Sequence, residues 1–376
     1  MNITTETREE VWHDLRAPGA YEWWYFDAED VETGISIVII WFSGFPFSPY
    51  YNERYELWKI SAGPEPPLPA DYSGFSFQLY EQGRETINFI REGPNGLFES
   101  ARQEIGARFE KNVFRYDSKS GEYTLDIDFV FPARRKNVKA SLVFKTCRRL
   151  AYEKKDSGRH TNAPMHQWLL SVPRADVEGS IEIAGHPGEP LRGITLRAAG
   201  YHDHNFGAMP LQEYISRWYW GRAFSGHTDI VYYLVFFRDG TLRPLTLLFL
   251  HDHKEGKTRV LDNLEVTEGN FMRGLFAPVH GRLLELSCED VSLDIRHDRV
   301  LDAGPFYLRF NSAMSLERNG QRYDTFGGIS EYLDPGRLYS RFMRFFTRSR
   351  IWREGERSLM YDTYNIFKRS LDLKKR

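Results

Sequence analysis

The chain has 376 residues, of which 41% are hydrophobic and 15% aromatic, and its formal net charge is -2. That composition excludes a globally disordered chain, and the balanced charge excludes a dedicated nucleic-acid binder, which needs surplus cations against phosphate. Cys147 and Cys288 are the only cysteines, too few for a disulfide framework or a thiolate zinc cluster and in keeping with a reducing compartment.

The length suggests about two domains. The start, MNITTETREEV, carries no apolar h-region, so no signal peptide is read and a cytoplasmic location is expected. Tyr21-Glu22-Trp23-Trp24-Tyr25-Phe26-Asp27 follows. On a strand, Tyr21, Trp23, Tyr25 and Asp27 face one way, while Glu22, Trp24 and Phe26 face the other. Aromatics on both faces suggest a strand between a core and a cavity, with Trp23 and Tyr25 as candidate substrate walls. The run Ile35 to Phe42 reads as a strand buried on both faces, and it is far too short to cross a bilayer as a helix. The proline-rich stretch from Gly63 to Pro69 reads as a stiff surface loop.

Period-two alternation at Phe75, Phe77 and Leu79, and again from Tyr123 to Phe131, predicts half-buried strands. Asn95-Gly96, Ser120-Gly121, Asp239-Gly240 and Asn319-Gly320 supply turns. No helical period persists over the first 330 residues. The expected fold is all-β, with two domains of residues 1–210 and 211–376 meeting near a Gly-Ala-Met-Pro turn at Pro210. From Pro335 on, Leu338, Phe342, Phe345 and Phe346 interleave with arginines as a basic amphipathic helix. Two readings stay open: a terminal helix packed with its basic face in solvent, or peripheral contact with the inner face of an anionic membrane.

Three segments are candidates for chemistry. In Met165-His166-Gln167-Trp168, His166 and Trp168 share a face on a strand; the imidazole can relay a proton and the indole can face a cation. In Gly200-Tyr201-His202-Asp203-His204-Asn205-Phe206-Gly207, alternation separates Tyr201, Asp203 and Asn205 from His202 and His204. If the first set faces a pocket, Asp203 lodged among aromatic walls keeps its proton, because desolvation disfavours the anion, and it can act as a general acid. If the second set does, the two histidines are a ligand pair, with another His-x-His at His251 and His253; the Glu that a cupin pattern requires is missing, since the next is Glu213. Tight-turn capping by Asp203 and Asn205 is the ordinary alternative. Trp218-Tyr219-Trp220-Gly221-Arg222 repeats the aromatic theme, with Trp218 and Trp220 as further candidate substrate contacts. Without a glycine-rich phosphate loop, a dinucleotide turn or a Gly-x-Ser-x-Gly elbow, kinase, Rossmann and serine-hydrolase readings fail.

The Tyr-Glu-Trp-Trp-Tyr-Phe-Asp, Gly-Tyr-His-Asp-His-Asn-Phe-Gly and Trp-Tyr-Trp-Gly-Arg segments together resemble the carotenoid 1,2-hydratase (hydroxyneurosporene synthase) family, within a wider AttH-like, lipocalin-related superfamily. The resemblance runs from about Gly19 to beyond Gly328. It implies two lipocalin-like β-barrel or sandwich domains and an apolar pocket for a carotenoid or other isoprenoid. It also implies active-site roles for His166, Trp168, Tyr201 and Asp203. The implied activity is a hydratase needing no metal and no cofactor. A cyclase using the same pocket and a non-enzymatic carrier of a hydrophobic ligand are the rival readings.

Overall fold

A computed structural model describes residues 1–61, 65–131, 136–154, 166–185, 190–274 and 276–355. Gly63 and Pro64 of the proline-rich loop, and most of the polar segment before Met165, lie outside the described residues. The fold is all-β, built from two curled sheets. The chain forms two compact units, residues 1–210 together with the tail from Phe345, and residues 211–344.

In the first unit the sheet runs through Arg84–Gly93, Ser73–Glu81, Ile35–Ser43, Tyr21–Asp30, Arg192–Gly207, Gln167–Ala184, Lys136–Thr146, Glu122–Phe131, Asn112–Asp117, Gly106–Phe109 and Phe98–Ser100. These neighbours pair antiparallel, while the short Asn2–Thr4 strand adds a parallel pairing with the start of the Gln167–Ala184 strand. The sheet curls because its inward side chains, among them Trp24, Phe26, Trp41, Phe75, Phe114 and Leu125, bury one another in a single core. Phe89 stacks on Phe129 across that core at 4.4 Å. The second sheet runs from Lys257–Asp262 through Leu245–Asp252, Thr228–Phe237, Ile215–Phe224, Gln321–Leu333, Tyr307–Arg318, Val291–Ala303 and His280–Cys288 to Glu265–Met272, around its own core.

The turn signals hold: Gly96, Gly121 and Gly320 all have positive φ, and Asn319 joins Gly320 in the left-handed region. One expectation needs correction. A helix spans Pro49–Ser61, within the stretch where no helical period was read. Its apolar residues form no single stripe, so periodicity is blind to it. The signal lay in its start, where Ser48 accepts a hydrogen bond from the Tyr51 amide and Pro49 takes the first helical position.

The tail also differs from its expected form. Pro335–Tyr339 is a 3-10 turn, and the helix proper is the eight residues Arg341–Arg348. Phe342 and Phe345 are exposed, whereas Arg344 and Thr347 are buried, so of the two readings the packed helix with a solvated basic face does not describe these rings. The sequence reading carried the second domain to residue 376. The described tail instead joins the first unit: the Trp352 amide donates to the Ile90 carbonyl at 2.8 Å, and Arg353 Nε lies 3.4 Å from Glu92. Among the described residues no helix is long and apolar enough to cross a membrane.

Candidate active site

The three central strands of the first sheet are Tyr21–Asp30, Arg192–Gly207 and Gln167–Ala184. Their register sets Asp203 opposite Tyr25, Tyr201 opposite Asp27, and Asn205 between Trp23 and Trp168. Alternation then places Trp23, Tyr25, Asp27, Trp168, Tyr201, Asp203 and Asn205 on one face. This face points away from the unit's own core, yet all seven residues are buried. Two bulges between Leu169 and Ala175 keep Trp168 there: each reverses the inward–outward alternation, and the second restores it.

Asp203 is the hub. Its Oδ2 accepts hydrogen bonds from Trp168 Nε1 at 2.8 Å and from the Tyr201 hydroxyl at 2.7 Å. Its Oδ1 takes Asn205 Nδ2 at 2.9 Å. Asp203 as a residue is 6% exposed, so it is not bathed in solvent. The sequence reading credited desolvation alone with keeping its proton. The structure adds an opposing influence, because three donors stabilise the conjugate base. Asp203 therefore does not cap a tight turn; it lies inside a long strand.

His166 stands at the entrance to the Gln167–Ala184 strand, with Nδ1 at 2.8 Å from the Tyr21 hydroxyl. Burial, helped by the nearby N-terminal ammonium, pushes its pKa down to about 3, so the ring is neutral. The Trp23 ring stacks 5.9 Å from His166 and 5.4 Å from Tyr21. Tyr25 meets Tyr201 edge-on at 6.1 Å and donates its hydroxyl to Asp27 Oδ2 at 2.9 Å.

Asp27 is the residue the sequence reading left unassigned. It repeats the Asp203 arrangement: each carboxyl takes the hydroxyl of a tyrosine two residues earlier, Tyr25 for Asp27 and Tyr201 for Asp203, on adjacent antiparallel strands. The signal was the Tyr-x-Asp spelling shared by both motifs. Trp218 and Trp220 lie in the second unit, on the strand Ile215–Phe224, buried on the face opposite the core residue Tyr219.

The two-histidine face looks into the core. Phe26 stacks on His202 at 3.8 Å and Trp24 on His204 at 4.6 Å. His202 sets Nδ1 against the Tyr25 carbonyl and Nε2 against Glu10, which also accepts the Tyr123 hydroxyl at 2.7 Å. Burial works to raise the Glu10 carboxyl, but the His202 ring and the Tyr123 hydroxyl outweigh it and hold Glu10 below its ordinary value. His13, Glu22 and His204 are the described residues whose ligand atoms, all within 4.8 Å of one another, suit a metal ion. Glu22 Oε1 already bridges both rings, at 2.7 Å to His13 and 2.9 Å to His204. The other His-x-His is taken up locally, His251 by Thr258 and His253 by Asp229.

A sequence profile described as carotenoid hydratase CrtC matches residues 39–360. The chain belongs to the carotenoid hydratase family. This member is 51% identical, over 98% of its length and 96% of the relative's, to a protein of Chlorobaculum tepidum named hydroxyneurosporene dehydrogenase. It is 27% identical to the acyclic carotenoid 1,2-hydratase of Thiocapsa roseopersicina, over 63% of this hydratase-family chain and 53% of the other. Among solved structures, an AttH protein from Nitrosomonas europaea superposes with a TM-score of 0.57 at 14% identity, covering 88% of this chain and 96% of that one. The lipocalin-like AttH fold is thereby shared.

Proposed function

We propose that this carotenoid hydratase adds water across a terminal C=C bond of an acyclic carotenoid without a cofactor, with Asp203 as the proton donor. The observation that carries the reading is the set of three donors on a buried carboxyl. Burial favours the protonated acid before reaction. Trp168, Tyr201 and Asn205 are aimed at the charge that develops on Asp203 as its proton leaves, so they stabilise the transition state more than the ground state. Asn205 suits both states: with its amide turned, its carbonyl oxygen accepts the acid proton from Oδ1.

In this scheme the Asp203 proton goes to the less substituted alkene carbon, leaving a tertiary cation. The rings of Trp168, Tyr201 and Trp23 offer π-faces to it. Asp27 is the second carboxyl on the face, and its role is to steady the cation. Water adds, and its proton returns to the Asp203 carboxylate, which closes the cycle. His166, neutral and held by Tyr21, is a second acceptor for that proton.

The test is incubation of the protein with an acyclic carotenoid in heavy-oxygen water, followed by mass spectrometry. Hydration adds one water carrying the heavy oxygen. Loss of two hydrogens would replace the reading with dehydrogenation, and an unchanged mass with a new ring would replace it with cyclisation.

A further inference from the structure

We propose that the tip of the hairpin formed by Glu265–Met272 and His280–Cys288, together with Arg341 and Phe342 at the start of the Arg341–Arg348 helix, docks on the surface of an anionic lipid bilayer. Phe271, Met272, Phe276 and Val279 gather at this tip, and they are 58%, 48%, 42% and 45% exposed. Phe342 of the helix is 57% exposed, and its ring lies 6.2 Å from that of Phe276. Arg337 ties the two elements together, donating to the Phe276 carbonyl at 2.9 Å and lying 3.4 Å from Met343 Sδ.

A water-facing helix of a soluble protein turns its charges out and its aromatics in. This one does the reverse at its centre, with Arg344 and Thr347 buried while Phe342 and Phe345 face out. Leaving such rings in water is unfavourable by the apolar area they expose, and exposed apolar side chains grouped in this way mark an interaction surface. The charge around it selects the partner. Arg273 follows Phe271 and Met272, Arg341 precedes Phe342, and both are exposed, as is Arg282 on the returning strand; the exposed Asp298 near Arg282 is held by Arg296, and the hairpin's exposed acids, Glu265 and Glu285, lie toward its opposite end. Aromatic side chains that enter the headgroup boundary, framed by arginines that meet lipid phosphate, suit a surface lying on a bilayer rather than crossing it. The proposal rests on the carotenoid reading for its purpose, since such a substrate resides in lipid.

The test is flotation of the full chain with phosphatidylglycerol vesicles and with phosphatidylcholine vesicles, no substrate present. Binding to the anionic vesicles is expected, weakening with salt. The triple variant Phe271→Ser, Phe276→Ser, Phe342→Ser should lower partition by at least about tenfold. The triple variant Arg273→Glu, Arg282→Glu, Arg341→Glu should erase the preference for anionic lipid. Hydrogen exchange on the wild-type chain gives a second readout, with residues 271–274 and 276–283 protected when anionic vesicles are added. Wild-type protein that fails to float, a serine variant that floats as well as wild type, or unchanged exchange each overturns the proposal. So does a dimer in the ultracentrifuge that the serine variant breaks, because the patch would then bind a second copy. Hydration of detergent-dispersed carotenoid is read separately: intact flotation with no hydration strikes the functional reading alone.

Discussion

Asp203 receives three hydrogen bonds from side chains on its own sheet face, Trp168, Tyr201 and Asn205. Removing the ionisable group should therefore be felt in chemistry far more than in folding. Asp203→Asn is expected to lower kcat by about a thousandfold or more, the scale of a lost general acid, with the denaturation midpoint close to wild type. Wild-type hydration by that variant would eliminate Asp203 as the donor. Tyr201→Phe keeps the ring and deletes one of the two donors to Oδ2. Its kcat should fall by roughly tenfold to a hundredfold with KM little changed, because the lost bond matters most when the carboxylate forms. Asp27→Asn should likewise act on kcat and not on KM if the second carboxyl steadies the cation; an effect confined to KM would make it a substrate-positioning residue. Steady-state kinetics on one carotenoid separates these outcomes.

At the level of the strands, Gly200 and Gly207, which bound the mid-chain motif, both belong to the strand Arg192–Gly207. Gly200 lies within a strand, and a Cβ there would sit 2.5 Å from Val177 Cγ2 and 2.9 Å from the Phe144 ring. Gly200→Ala should cost about 1–3 kcal/mol by overpacking, measured by denaturant titration, and a stability equal to wild type would show that the neighbouring strand yields freely. Much of this element was legible. The pairing of Tyr201, Asp203 and Asn205 against His202 and His204 follows from a period of two, and the strand that carries them is long enough for the period to hold. What the spelling does not disclose is which face is the core. Trp24 and Phe26 are as aromatic as Trp23 and Tyr25, and only the closure of the sheet turns the first pair inward. The bulge between Leu169 and Val172 is equally hidden, since no glycine or proline marks it, whereas Pro173 marks the second one, between Val172 and Ala175. The Arg341–Arg348 helix was legible as basic and amphipathic, but its orientation depends on Arg344 being taken inside, which periodicity does not foresee.

Each of the two units encloses buried neutral histidines, and this gives the whole molecule a common acid sensitivity. Burial lowers His166 to about 3 in the first unit and His297 to about 4 in the second. His297 also hydrogen-bonds the Gly281 carbonyl, which works against the shift but does not overcome it. An unfolded histidine titrates near 6.5, so below that pH the unfolded chain binds protons that the folded chain refuses. Stability contributed by each ring is full above about 6.5 and is lost as pH falls toward the folded value, with a limiting slope of about 1.4 kcal/mol per pH unit for each histidine. Glu10, held low by its partners, adds loss of the same sign at more acid pH. Glu110 and Asp334, raised by burial, contribute in the opposite sense, gaining relative stability as pH falls. The comparison that isolates one ring is therefore wild type against His297→Gln, which keeps a donor for Gly281 and cannot titrate. Across pH 6.5 to 4 the variant's unfolding free energy should fall less steeply than that of wild type, by about the share of one proton, and the two curves should run parallel above pH 7. Equal slopes over the acid window would mean that the folded chain accepts a proton at His297 as readily as the unfolded one.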